Sequence, residues 1–286
     1  QMQLDTDRDV LNYFQKSQPT LILNNLEKSK GYEELEKIGI KKNEKFVCLM
    51  NRDSSYLKKT FPKMNWDYHN YRDSNIDNYL MAAEALTKRG YFVLRMGSVT
   101  EQKINSNNNR IIDYSNSEFR SEFLDLFLIE NCKFGITGNV GLDGLFRTFR
   151  KPAVICSMVP VGYLATYRDD WIHLFKKHYS QEKNRNLSLS EIFELGLGLS
   201  LKTEDFNKKK IKLIENTPEE IRDAVLQLDD RLNKKYKETL DEQNLQKKFW
   251  QLYEKNLKKH NARHLHGKFF GNHSSSFLKN NDYFLE

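Results

Sequence analysis

The chain has 286 residues, 38% hydrophobic and 12% aromatic, enough to bury the core of one large or two smaller α/β domains. No run of about 18 apolar residues occurs and the N-terminus has no apolar h-region, so neither a membrane helix nor a signal peptide is predicted. The net charge of +7 is uneven: residues 202–268 hold 17 Lys/Arg against 12 Asp/Glu, without the interleaved aromatics of a base-stacking platform, so nucleic acid is not an expected partner. Instead, the basic C-terminal part is expected to meet anionic lipid head groups or to be a solvated helix surface.

In chain order, the opening Gln1-Met2-Gln3 reads as a fragment boundary. Residues 8–40 look helical in two pieces broken at Pro19, the second running from Asn25 to Ile38 and stopped by Gly39. The all-apolar run 45–50, KFVCLM, suits a strand buried on both faces. Residues 74–90 read as a helix with Ser74 as N-cap and Gly90 as stop, followed by a strand at 91–97. An Asn-rich loop at 105–109 precedes a short third strand at 110–114. A helix at 117–132 is expected to turn Phe119, Phe123, Leu126 and Phe127 inward. A strand at 133–137, a short helix at 141–149 and a strand at 152–157 complete the alternation.

Strands alternating with helices at this spacing predict an α/β fold with a Rossmann-like parallel sheet and right-handed crossovers. Beyond Pro160 the sequence predicts a helix at 188–197, a helix at 216–236 capped by Thr217, Pro218 and Glu220, and helical pattern from 241 to 260. The expected organisation is an N-terminal helical segment at 1–41, read as the remnant of an N-terminal domain, a sheet domain at 42–200, and a C-terminal helical region at 201–286 packing back on it. Cys48, Cys132 and Cys156 each lie in an apolar run and read as buried, reduced thiols of a cytosolic protein.

In a parallel sheet the ligand lies at the carboxyl ends of the strands. The residues standing there are Asn51, Arg52, Asp53 and Ser54 after the first strand, Arg95, Met96 and Gly97 after the second, and Asp113, Tyr114 and Ser115 after the third. Thr137, Gly138, Asn139, Gly141, Asp143 and Gly144 follow the fourth, and Ser157 and Pro160 the fifth. Two arginines and a glycine-rich turn at a helix start suit a phosphate-bearing ligand, because Arg pairs bidentately with phosphate and the turn offers amides. The turn matches neither the G-x-G-x-x-G fingerprint nor a Walker A loop, and taken alone it is an ordinary strand-to-helix connection. The stretch 66–80 is dense in polar and aromatic residues, and His69, Tyr71, Arg72, Asp73 and Asp77 there suit a sugar-sized pocket as well as they suit a surface loop with a helix cap. The remaining histidines have no metal-ligand spacing, so no metal is predicted, and no nucleophile elbow or Cys/His pairing occurs.

The segments FVCLMNRDSSYL, YHNYRDSNIDNYLMAAEALTKRGYFVLRMG, IIDYSNSEFRSEFLDLFL, GLDGLFRTFRKPAV and NTPEEIRDAV with the closing HG…FLKNN, in this order and spacing, resemble a family of bacterial glycosyltransferases associated with surface-polysaccharide gene clusters. The resemblance spans about residues 20–286. It implies a GT-B-like fold whose Rossmann-like domain holds a nucleotide-sugar donor, with no further cofactor. The chain departs from the family in carrying Met50-Asn51-Arg52-Asp53 where His-Val-Arg-Asp is usual, and Ile136-Thr137-Gly138-Asn139-Val140-Gly141 where a Ser-Thr-Gly-Thr-Gly turn is usual.

The expected function is transfer of a sugar from a nucleotide-diphosphate donor to a polysaccharide or lipid-linked acceptor by a cytoplasmic, metal-independent enzyme at the inner membrane face. Arg52 and Arg95 would neutralise the pyrophosphate, helped by the amides of Gly138 to Gly144, and Asp53, His69, Asp73 and Asp143 are the candidate bases. A non-catalytic nucleotide-sugar or glycan-binding partner subunit and a nucleotide-sugar epimerase are the alternatives.

Overall fold

The structure, a computed structural model, describes residues 8–100, 102–138 and 140–286; Gln1-Met2-Gln3 and Asn139 lie outside the described residues. The N-terminal helical pattern yields one short turn, α1 (Tyr13–Lys16), and one full helix, α2 (Asn25–Lys37), closed by an Asn24/Glu27 capping box. The first piece stays short because Asn12 is in the left-handed region at φ 58°. The core then follows as β1 (Lys45–Met50), α3 (Ser55–Thr60), α4 (Leu80–Lys88), β2 (Tyr91–Arg95), β3 (Ile111–Ile112), α5 (Glu122–Asn131), β4 (Gly135–Thr137), α6 (Gly144–Thr148) and β5 (Ala153–Met158).

Beyond the alternating core come β6 (Trp171–Phe175), β7 (Lys177–Ser180), β8 (Arg185–Asn186), α7 (Leu189–Glu194), α8 (Thr203–Lys208) and β9 (Ile211–Ile214). The chain ends with α9 (Pro218–Leu232), α10 (Leu240–Lys259), β10 (Asn272–His273) and α11 (Ser275–Asn280). Strands β6 to β10 are absent from the pattern reading: short strands such as KHYS and the two-residue β8 and β10 give too few positions for a period to show. The Thr217–Glu220 capping box and Pro218 at the first turn of α9 stand as expected.

The main sheet has seven parallel strands in the order β3-β2-β1-β4-β5-β6-β10, with helices on both sides. This is a Rossmann-like arrangement, in which the chain moves outward one way from β1 to β3 and the other way from β4 to β6. The order reverses between β1 and β4, which pair in register from Cys48/Gly135 to Met50/Thr137. A second, antiparallel sheet of β8-β7-β9 sits beyond it. The C-terminal region belongs to the same body, since β10 adds to the sheet edge beside β6 and α9 packs on α4, β5 and β6.

Two corrections concern helix faces. Ser74 does not cap a helix: a 3₁₀ turn at Ile76–Tyr79 intervenes, capped by Asn75, and Ser74 is buried against the Tyr79 hydroxyl at 3.3 Å. Helix α5 starts later than expected, at the Ser121 cap, and of Phe119, Phe123, Leu126 and Phe127 only Phe127 is buried. Its inward face is Leu124, Phe127 and Leu128, and Phe127 lies so close to α2 that a Cβ on Gly31 would stand 2.0 Å from its ring. The three cysteines are buried free thiols. No helix among the described residues is long and apolar enough to cross a membrane.

Candidate functional site

Two openings lie at the carboxyl ends of the strands. The first, of about 390 Å³, is lined by Met50–Asp53 after β1, Met96–Thr100 after β2 and Val140–Leu142 after β4, with Tyr56, Arg120 and Asp125. It stands over the point where strand order reverses, where open α/β sheets bind ligands. The second, of about 200 Å³, is lined by arginines Arg8, Arg72 and Arg147, by Asp143, and by the aromatic rings of Tyr71, Tyr163, Tyr167 and Trp171. The consecutive residues Leu142 and Asp143 line one opening each, so the two share a wall.

Arg52 and Arg72 stand on that shared boundary, Arg52 in the first opening and Arg72 in the second. Arg52 leaves the end of β1 and its Nε sits 3.5 Å from Asp73 Oδ1, with the side chain 11% exposed. Burial and the neighbouring Arg72 charge push the Arg52 pKa down. Arg72 makes no ion pair among the described residues, and its Nε is buried without a hydrogen-bond partner. The two guanidinium groups repel one another across the boundary, with Asp73 and Asp53 acting on Arg52 and Asp143 lying close enough to feel Arg72.

The turn that carries Tyr71, Arg72 and Asp73 is held from below. Buried Lys176, just after β6, donates from Nζ to the carbonyls of Tyr71 and Asp73. Thr203, at the start of α8, accepts from the Tyr71 amide at 3.1 Å, and Phe206 stacks on the Tyr71 ring at 5.8 Å. A buried lysine whose protons are spent on main-chain carbonyls fixes a backbone path, and this one fixes where Arg72 stands.

The carboxylates differ in kind. Burial pushes both Asp73 and Asp143 up to about 6, against the lowering effect of nearby arginines, chiefly Arg52 for Asp73 and Arg147 for Asp143. Asp143 lines the aromatic opening, with its side chain 13% exposed and Oδ1 3.9 Å from Arg147. Asp73 lines neither opening. His69, its ring tilted against Tyr68 with centroids 3.9 Å apart, is pushed down to about 4 by burial and by the charges of Arg72 and Arg52, so it is neutral near pH 7. It too lines neither opening. Asp53 lines the first opening but sits 3.9 Å from Arg95.

Several residues expected at the rim belong to the framework. Arg95 is 0% exposed; it donates to the Gln102 carbonyl and to Asn51 Oδ1 at 3.3 Å, and faces Asp113 at 3.6 Å as well as Asp53. It therefore offers no face to a ligand, contrary to the expectation that it neutralises a pyrophosphate. Asp113 accepts from Ser115 Oγ, Asn116 Nδ2 and the Ile104 amide, which ties down the loop around Ser115. Tyr114 is fully buried and its hydroxyl bonds Ser121. Thr137 is fully buried with an unpartnered hydroxyl, and Ser54 is buried as well. Asn51 donates to the Ser74 carbonyl at 2.9 Å, joining the β1 end to the 74–80 turn.

The glycine turn also works differently from the expectation. The Gly138 amide donates to Met50 O at 3.0 Å, and a Cβ there would meet Tyr79 Oη at 2.9 Å, Ser74 Oγ at 3.0 Å and Arg52 N at 3.3 Å. Gly138 is a close-packing residue that lets β4 end against the Arg52 backbone. The amides of Asp143 and Gly144 donate to Val140, Gly141 and Leu142 carbonyls within the turn. Only Gly141 faces open space, on the wall of the first opening. Gly97 serves the same opening through its backbone, since φ +146° excludes most side chains. Met96 lines it too, though nearly buried.

Sequence reading missed Arg8, Arg147, Tyr163, Tyr167 and Trp171, because they come from the N-terminal segment, the interior of α6, the connection from β5 to β6 and the first residue of β6, none of which is the carboxyl end of a strand placed in advance. Lys176 carried little signal, since it follows WIHLF as the first of two lysines in FKKHYS and reads as the polar end of a strand. Among the described residues no group of three or more metal-ligating side chains is found. Comparison of the chain with protein-family models, curated protein sequences and solved structures gives no match.

Proposed function

We propose that the chain is a glycosyltransferase of GT-B type that holds a nucleotide-diphosphate sugar across the two openings. The observation that carries this reading is the adjacent pair Arg52 and Arg72, the first only loosely paired and the second in no ion pair among the described residues, on the wall between an opening at the strand-order reversal and an opening lined by four aromatic rings. Nucleoside would lie in the first opening, whose size suits a small ligand. The diphosphate would meet Arg52 and Arg72, and the sugar would stack on the rings of the second.

In the transfer, the bond from the anomeric carbon to the diphosphate oxygen breaks, and the electron pair leaves with the nucleoside diphosphate. Arg52 and Arg72 stabilise that leaving charge, in place of a metal ion. The acceptor hydroxyl oxygen forms the new bond to the anomeric carbon and gives its proton to Asp143, the one raised carboxylate that lines the sugar opening. A pKa of about 6 leaves Asp143 ionised at pH 7 yet basic enough to take a proton.

The test is nucleoside-diphosphate release by purified protein over a panel of donors and acceptors. Asp143→Asn is expected to lower kcat by about 10²–10⁴-fold with donor affinity retained. Donor binding with no release by the unaltered chain under any combination would instead favour the binding-subunit reading, to which Met50, nearly buried where the resembling family carries histidine, already lends weight. Release without acceptor, with the sugar epimerised, would favour the epimerase.

A further inference from the structure

The connection from β1 to the 67–72 turn combines exposed apolar side chains with lysines. Residues 55–66, SYLKKTFPKMNW, contain three lysines and no acidic residue. Tyr56, Phe61 and Met64 are 45%, 47% and 57% exposed, although large apolar side chains normally find cover. The presentation is ordered: Met64 donates its amide to the Phe61 carbonyl at 3.1 Å, Trp66 Nε1 donates to the same carbonyl at 3.2 Å, and the Phe61 and Trp66 rings lie 5.9 Å apart. Lys58, Lys59 and Lys63 are exposed and form no ion pair among the described residues. One end of the segment rests on the candidate site, because Tyr56 lines the first opening, and the chain beyond its other end leads to Tyr71 and Arg72, which line the second.

We infer that residues 55–66 are the surface by which the protein docks on an anionic lipid bilayer. Aromatic and methionine side chains interleaved with unpaired lysines, in a stretch without a single carboxylate, match the two attractions such a surface offers: an interfacial zone for Tyr, Phe and Met, and a negative potential for Lys. The basic C-terminal helix is a poorer match. On α10, Lys258 and Lys259 are already paired with Glu254 and Glu194, and Leu240 at its first residue is its one exposed large apolar side chain. Docking through 55–66 sets both openings against the membrane plane, where a lipid-linked acceptor would present its sugar; this last consequence rests on the proposed transfer, while the docking itself does not.

The experiment is co-sedimentation of the full chain with vesicles of phosphatidylcholine alone or mixed with phosphatidylglycerol, at low and high salt. The unaltered chain is expected to bind the mixed vesicles and to be weakened by salt. Lys58→Glu/Lys59→Glu/Lys63→Glu is expected to lower partitioning at least about tenfold. Phe61→Ser/Met64→Ser should remove the fraction that survives high salt. Lys247→Glu/Lys248→Glu/Lys255→Glu on α10 should change partitioning less than the first triple. All these positions are exposed, and an unchanged thermal transition confirms folding. The proposal is overturned by no binding to mixed vesicles, by equal binding to phosphatidylcholine alone, by a larger loss from the α10 triple, or by a sedimentation shift showing that Phe61 and Met64 join two copies of the chain. Nucleoside-diphosphate calorimetry on the same variants separates the readings: lost vesicle binding with intact nucleotide binding concerns the docking surface, and the converse concerns only the proposed transfer.

Discussion

Arg52 follows β1 and Arg95 ends β2, neighbouring strands of one sheet, and both are arginines at the carboxyl end of the sheet. Their surroundings make them opposites. Arg95 lies wholly inside, among Asp53, Asp113, Asn51 and the Gln102 carbonyl, so its charge is spent on holding the ends of β1, β2 and β3 together. Arg52 has only a loose contact with Asp73 at 3.5 Å, and the charge of a second guanidinium, Arg72, stands beside it. The difference teaches that a charge at a strand end is available to a ligand only when its own neighbours leave it short of opposite charge.

The largest expected effect breaks the framework half of that contrast. Arg95→Met leaves Asp53 and Asp113 without their central cation, and is expected to cost about 3–5 kcal/mol of unfolding free energy by urea titration. A loss under about 1 kcal/mol would mean that the two carboxylates reach water, and Arg95 would rejoin the candidate ligands.

Next in size is the ligand half. Arg52→Ala is expected to change stability little, because the pair with Asp73 is loose at 3.5 Å, but to weaken nucleoside-diphosphate binding by about 2 kcal/mol, roughly 30-fold in calorimetry. If instead stability falls and affinity stays, the roles assigned to the two arginines are interchanged.

The glycine turn supplies a smaller version of the same test. Gly138→Ala forces a methyl against Tyr79 Oη, Ser74 Oγ and the Arg52 amide and is expected to cost about 1 kcal/mol, whereas Gly141→Ala enters open space and should leave stability within about 0.5 kcal/mol. Comparing the two melts distinguishes a packing glycine from one that merely lines the opening. Equal effects would remove the distinction.

Much of this frame was legible in the sequence, and the reasons it stopped are physical. Buried parallel strands announce themselves as apolar runs, so β1, β2, β4 and β5 could be placed, and the Thr217/Glu220 box marks α9 outright. Strand ends locate a rim but say nothing of which side chains the rim has already paired, and so Arg95, Asp113 and Tyr114 could not be told from Arg52. The aromatic opening was invisible for another reason: Arg8, Tyr163 and Trp171 meet there only after the chain has crossed from the N-terminal segment to the far edge of the sheet. Phe119 and Phe123 misled because aromatics beside a helix start read as core, although the cap at Ser121 places the first turn later and turns Leu124 and Leu128 inward.

The smallest effect concerns protons. Asp73 and Asp143 are raised to about 6, so both are largely ionised at pH 7 and largely protonated at pH 5. Because their folded pKa values lie above the 3.8 of an ordinary aspartate, the folded state holds protons that the unfolded chain would release, and their effect on stability grows less favourable as pH rises from 3.8 to about 6. The same protons govern anion binding. Removing two negative charges beside Arg52, Arg72 and Arg147 raises the local positive field, so an anion whose own charge is constant should bind more tightly at pH 5 than at pH 7. Sulfate meets that condition, and its apparent Kd, read by competition with a nucleoside diphosphate, is expected to fall by about threefold over the interval, a change of under 1 kcal/mol as suits partly screened charges. Asp73→Asn and Asp143→Asn should each flatten the slope, because each fixes one of the two charges at zero. A slope that survives both substitutions would place the titrating group elsewhere, and a slope that survives Arg52→Ala unchanged in affinity as well would return Arg52 to the framework, beside Arg95.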